Sequence, residues 1–141
     1  MYKNKVFTYI SYVTIALALA IILLITFWSV YPYETIVVNG TNVINRVVKQ
    51  DETLQYTLDY CKYTERDVLI SRRFVDGIIF SVPDVTASNP EGCRKSLIGI
   101  EIPTTLPPGT YYLDIIYAYK VNPIRTMATH SRTELFIVEP K

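Results

Sequence analysis

Cys61 and Cys93 are the only cysteines in this 141-residue chain, and a thiol pair is the first place to look for chemistry. A catalytic dithiol is closely spaced, as in Cys-x-x-Cys, and a metal site needs three or four ligands. A distant pair in an oxidising compartment reads first as a structural disulfide. Closing a loop of about 33 residues stabilises a fold by roughly 3–4 kcal/mol in the chain-entropy model. Two free thiols are the next reading, and a redox or metal pair the last.

Other reactive groups are sparse. His130, in Thr129-His-Ser-Arg132, is the only histidine, and no Gly-x-Ser-x-Gly is present. A Ser or Cys nucleophile needs a base within hydrogen-bond reach, so His130 reads more simply as an exposed strand residue. Asp59, Asp67, Asp76 and Asp84 are scattered, and turn chemistry accounts for most of them. Asp51-Glu52 reads as a solvated turn. Met127 and His130 lie three apart, but a soft-metal site needs Cys, Met and His together. Phosphate loops, nucleotide fingerprints and haem attachment sequences are absent. The expectation is a protein without enzymatic activity, cofactor or metal.

The elements that position these residues begin with a membrane segment. Val6 to Tyr33 holds no charged side chain, and its centre is Ile15-Ala-Leu-Ala-Leu-Ala-Ile-Ile-Leu-Leu-Ile25. About 20 apolar residues span a bilayer. A cleaved signal peptide would have an apolar region of about 7–15 residues and a small-x-small cleavage site. Here the run is longer, and its exit, Phe27-Trp28-Ser29-Val30-Tyr31-Pro32-Tyr33, is bulky. An uncleaved anchor is therefore favoured. Tyr9, Tyr12, Trp28, Tyr31 and Tyr33 fit interfacial aromatic belts, and Pro32 suits a helix stop.

Lys3 and Lys5 precede the run, and no Lys or Arg follows until Arg46. Positive charge stays cytoplasmic. Residues 1–5 are then a cytoplasmic end, 6–33 a single transmembrane helix, and 34–141 an extracytoplasmic domain. In a bacterial cell this places the anchor in the inner membrane and the domain in the periplasm. Lys3 and Lys5 are two of 14 Lys+Arg, leaving 12 against 13 Asp+Glu in the outer domain. That balance gives no basic surface for nucleic acid. Asn39-Gly-Thr41 matches the N-glycosylation pattern, with meaning only in a eukaryotic secretory cell.

Beyond Pro32 the periodicity becomes two, rich in Val, Ile, Thr and Tyr. Thr41 to Val48 reads as the first strand. Leu54, Tyr56, Leu58 and Tyr60 form the buried face of the next. Val68, Ile70, Arg72 and Phe74 share one side of a third. Asp76-Gly77 turns it into a hairpin with Ile78, Phe80 and Val82. Ile98, Ile100 and Ile102 alternate in another. In the penultimate strand Tyr111, Leu113, Ile115, Tyr117, Tyr119 and Val121 share the inner face. The last strand runs from about Arg125 to Val138, after the Asn122-Pro123 turn. About seven short strands in roughly 100 residues predict an antiparallel β-sandwich.

Leu106-Pro-Pro-Gly-Thr-Tyr111 resembles the corner before the penultimate strand of immunoglobulin-like (Ig-like) domains. The resemblance implies that Tyr111 hydrogen-bonds back across the corner, with Gly109 at the turn. Cys61 is out of phase with its strand's buried face, Cys93 falls in a Pro/Gly-rich stretch read as a loop, and Trp28 lies in the anchor. The outer domain is therefore similar to bacterial or viral Ig-like modules, not to antibody domains. The whole chain resembles small single-pass membrane proteins of bacteria and tailed phages, a likeness that implies no activity.

Tyrosine is in excess, with 12 in the chain. Strand preference explains this, and so does a contact surface. The outward side of the penultimate strand (Tyr112, Ile116, Ala118) is more apolar than solvent requires. With Arg72 and Arg73 it is the expected surface for a protein partner or for self-association. The alternative is a small-ligand or metal-binding accessory domain of a membrane complex, with Met127 and His130 converging on carboxylates.

Overall fold

The computed structural model describes residues 2–30 and 34–141. The expectations placed on Tyr31, Pro32 and Tyr33 lie outside these residues, as does the side chain of Lys3. The chain divides into two units, the helix with the Asn122–Arg125 turn, and the chain from Glu34 onward without that turn.

Helix α1 spans Tyr2–Val30. Residues Lys5–Val30, with mean hydropathy 2.6, are long and apolar enough to cross a membrane, a test that a signal sequence also passes. Its hydroxyls are satisfied from within. Ser11, Thr14, Thr26 and Ser29 each donate to the carbonyl four residues earlier, at 2.8–3.0 Å. Such back-bonding satisfies these hydroxyls without an acceptor from outside the helix.

The second unit is built from nine strands. They are β1 (Ile36–Val43), β2 (Val47–Lys49), β3 (Thr53–Lys62), β4 (Val68–Asp76), β5 (Ile78–Ala87), β6 (Gly92–Glu101), β7 (Gly109–Asn122), β8 (Arg125–Arg132) and β9 (Phe136–Glu139). One sheet has the order β1-β3-β6, the other β2-β9-β7-β4-β5, with β8 also on β7. The alternation in β3 and β7 supplies the core. Leu54, Tyr56, Leu58 and Tyr60 face Tyr111, Leu113, Ile115, Tyr117 and Tyr119 within one buried cluster that includes Phe74 and Phe136. All five tyrosines expected to face inward do so. Two sheets closed face to face over interleaved strands make an Ig-like β-sandwich.

Two predicted strands are each divided in two, which raises the count from about seven to nine. The first does not run unbroken from Thr41 to Val48. Its leading part begins earlier and pairs with β3, and the rest crosses to the other sheet. Asn45 makes the crossing possible. Its Oδ1 accepts the Gln55 N–H at 2.7 Å and its Nδ2 donates to the Thr53 carbonyl at 2.9 Å. The side chain thus replaces the ladder bonds that the departing backbone gives up. Strand β2 then pairs with β9 in parallel, so the sandwich is antiparallel except at this pair.

The last strand breaks at Thr133. The Thr133 N–H donates to the Leu113 carbonyl, and its Oγ1 accepts the Leu113 N–H at 2.9 Å. A side chain occupies a ladder position, and β8 gives way to β9 along the same neighbour.

Cys93 is also corrected. It lies in β6, not in a loop, directly opposite Cys61 on β3. Their Cα atoms are 3.9 Å apart and the two are disulfide-bonded. The bridge joins neighbouring strands of one sheet, whereas antibody domains bridge two sheets.

The Leu106–Tyr111 corner is as the resemblance implied. The Tyr111 hydroxyl donates to the Pro107 carbonyl at 2.8 Å. Space at Gly109 is tight. A Cβ there would meet Asp76 Oδ2 at 3.1 Å and the Tyr111 ring at 3.3 Å. Gly77, at φ +64°, closes the β4–β5 hairpin in a conformation that favours glycine.

Candidate functional site

Register decides which of the proposed contact residues belong together. On β7, Tyr112, Asp114, Ile116 and Ala118 alternate with the buried residues and so face outward. On β4, Val75 lies opposite Tyr112, Arg73 opposite Asp114, Ser71 opposite Ile116 and Leu69 opposite Ala118. Cross-strand partners share a face. Arg73 therefore joins Tyr112, Ile116 and Ala118 on the outer side of the large sheet.

Arg72 does not. It lies opposite Ile115, whose side chain is buried. One residue separates outward Arg73 from inward Arg72, because the side-chain period of a strand is two. The Arg72 Nε is buried and makes no hydrogen bond. Its guanidinium acts on the buried phenol of Tyr56. Burial pushes that phenol up, and the Arg72 charge and hydrogen bond offset part of the rise.

The outer face has more apolar members than the sequence revealed. Ile79 on β5 lies opposite Val75. Ile137 on β9 lies opposite both Thr110 on β7 and Val47 on β2. Val47, Ile137 and Ile79 are 52%, 46% and 58% exposed. Tyr112, Val75 and Ile79 form one cross-strand row, and Val47 and Ile137 form a second, which meets β7 at the exposed Thr110, two residues along from Tyr112. Single-strand periodicity could flag each residue as outward, but only pairing lines them up.

Charge borders this surface on one side. The Arg132 guanidinium sits 5.5 Å from the centre of the Tyr112 ring, and its Nε is 3.5 Å from Asp114 Oδ1. Arg132 is largely exposed, so the stacking is worth about 0.5–1 kcal/mol. It restrains the Tyr112 ring, which lowers the entropy that a partner must remove.

The Met127 and His130 pair of the alternative reading does not converge. Met127 packs against the core and His130 is exposed, on opposite sides of β8. Spacing of three on a strand has that result. Among the described residues no group of three or more His, Cys, Asp or Glu could hold a metal ion.

Buried phenols give the domain an alkaline limit. Burial pushes Tyr56, Tyr111 and Tyr117 all upward from the ordinary tyrosine value of about 10. For Tyr111 the Asp76 charge adds to the rise, and for Tyr117 the neighbouring Tyr56 and Tyr60 do. The folded state keeps these protons after the unfolded chain has lost them. Stability is thus full below about pH 10 and falls above it, by up to roughly 1.4 kcal/mol per pH unit for each phenol. Denaturant titrations at pH 8, 10 and 11 should show no loss at first and then a steep one. A flat profile to pH 11 would contradict the buried placement.

No family model matches the chain, and no curated protein matches it. Among solved structures, a CARDB domain of a Pyrococcus furiosus protein, in complex with di-metal ions, matches at 11% identity. The match covers 77% of this chain and 96% of that one, with a TM-score of 0.39. The Pseudomonas fluorescens alkylpurine DNA glycosylase AlkC, bound to DNA containing an abasic site analog, matches at 9% identity and a TM-score of 0.45. That match covers 81% of this chain and 33% of the glycosylase. Neither likeness carries an activity to this chain.

Proposed function

We propose that this chain is a single-pass membrane protein whose Ig-like domain lies outside the cytoplasm and binds another protein, or a second copy of itself, through the outer face of its large sheet. The observation that carries the reading is the outward apolar row of Tyr112, Val75 and Ile79 across β7, β4 and β5, with Val47 and Ile137 in the adjoining row. Apolar surface rimmed by polar groups marks interaction sites, and a tyrosine under an arginine suits the centre of one. A chain that α1 anchors meets its partners in two dimensions, which favours modest interfaces. The disulfide supports placement in an oxidising compartment, and Lys3 and Lys5 before the apolar run support the same direction.

The test is crosslinking of the full chain in its native membrane, with mass spectrometry of what is captured. One dominant species is expected, and the Tyr112→Asp/Ile116→Asp double variant should reduce its yield at least tenfold. Both side chains point away from the core, so circular dichroism of the variant should be unchanged. Undiminished capture by a folded variant would show that the face is wrong.

A further inference from the structure

The inward face of β3 ends on a lysine. Leu54, Tyr56, Leu58, Tyr60 and Lys62 follow one another at period two, and Lys62 is only 2% exposed. An ammonium group buried among apolar side chains is costly unless it is paired. The ion pairs among the described residues are Arg46–Glu134, Arg132–Asp114 and Lys141–Asp51, and Lys62 is in none of them. Its Nζ donates to the main-chain carbonyl of Asn89 at 2.6 Å. An ammonium has three protons to donate, so the cation has donor capacity and charge left over.

A second polar group is also incomplete. Tyr117 on β7 is 2% exposed, and its hydroxyl has no hydrogen-bond partner. An orphaned hydroxyl inside a sandwich calls for an explanation. Tyr117 and Lys62 line the same cavity, about 130 Å³ in volume, between the two sheets. Leu58, Val68, Ile70 and Ile98 form its apolar wall. Asn89, in the segment joining β5 to β6, stands at the rim. Its Nδ2 donates to the Tyr60 hydroxyl at 3.0 Å, while its carbonyl takes the Lys62 proton. One exposed residue thus ties down both polar groups of β3.

We infer that this cavity is a binding site for a small monocarboxylate with a short aliphatic tail. The head would meet the Lys62 ammonium and the Tyr117 hydroxyl. The tail would fill the apolar wall. Size sets the class, because an apolar cavity of about 150 Å³ admits benzene, so roughly six to eight non-hydrogen atoms fit here. Butanoate to hexanoate falls in that range, and a lipid acyl chain does not. Charge sets the head group, since a neutral occupant would leave the buried cation unpaired. The site is separate from the outer face of the large sheet and does not depend on it.

Methyl NMR of the full chain in lipid nanodiscs tests this, with sodium hexanoate and 1-hexanol as probes. Hexanoate should give saturable shifts at the Leu58, Val68, Ile70 and Ile98 methyls, beyond those of empty nanodiscs. Lys62→Met should weaken hexanoate about ten- to a hundred-fold, the usual size of a lost charge-assisted hydrogen bond, and leave hexanol binding unchanged. Tyr117→Phe removes only the orphaned hydroxyl, so its fold is secure, and it should weaken hexanoate several-fold. Absence of saturable shifts at these methyls would overturn the inference. So would hexanoate binding that neither Lys62→Met nor Tyr117→Phe weakens.

Discussion

Replacing Phe74 by Ala should lower the unfolding free energy of the outer domain by about 3–5 kcal/mol, the usual cost of truncating a buried phenylalanine. Phe74 is fully buried on β4, with Leu113 opposite on one side and Phe80 on the other. Its ring meets Phe136 edge-on, with centroids 6.1 Å apart. It therefore ties β4 to the short strand β9, with which β4 has no ladder of its own. A whole domain is stable by about 5–15 kcal/mol, so this one change removes a large share. Urea unfolding of the full chain in mild detergent, followed by near-ultraviolet circular dichroism, measures it. The midpoint should fall while the slope stays the same. A loss under about 1 kcal/mol would mean that Phe74 is not the keystone of this core.

The second large effect belongs to the disulfide. The Cys61→Ala/Cys93→Ala variant should lose roughly 3–4 kcal/mol, because the unfolded chain regains the freedom of a closed loop with sequence separation 32. The fold should survive, since β3 and β6 are paired in unbroken register from Thr53–Glu101 to Lys62–Gly92. The unfolding slope should rise as well, because an uncrosslinked unfolded chain exposes more surface. This result would place the bridge's effect in the unfolded state. A variant as stable as the oxidised protein would show that the ladder alone fixes β3 against β6.

Much of this architecture could be read from the chain. Alternation located the buried tyrosines of β3 and β7, because a strand with one covered face must alternate. Asp76-Gly77 located a hairpin, because Gly77 takes the positive φ that the turn needs. The Leu106–Tyr111 corner was legible because proline, glycine and a following tyrosine constrain a few consecutive residues.

What failed to show were events in which one side chain stands in for the backbone. Asn45 and Thr133 each satisfy ladder groups of a neighbouring strand. Nothing about an isolated Asn or Thr distinguishes that use from a surface position. Alternation therefore gives two strands too few and does not show the parallel β2–β9 pair. Asn89-Pro90 and Gly92 give the stretch around Cys93 the composition of a loop, although the ladder begins at Gly92 itself.

By itself the sequence determined the apolar helix, the β character of the rest, the inward tyrosines and the corner, all consequences of local period and local turn chemistry. Only the tertiary structure decided that Arg73 shares the outer face with Tyr112, that Val75 and Ile79 fall in one row with Tyr112, and that Val47 and Ile137 fall in the next. It alone placed Lys62 and Tyr117 on the lining of one cavity. The physical reason is that neighbourhood across strands is set by register between segments far apart in the chain. A shift of one residue in that register would turn every one of these side chains to the other face.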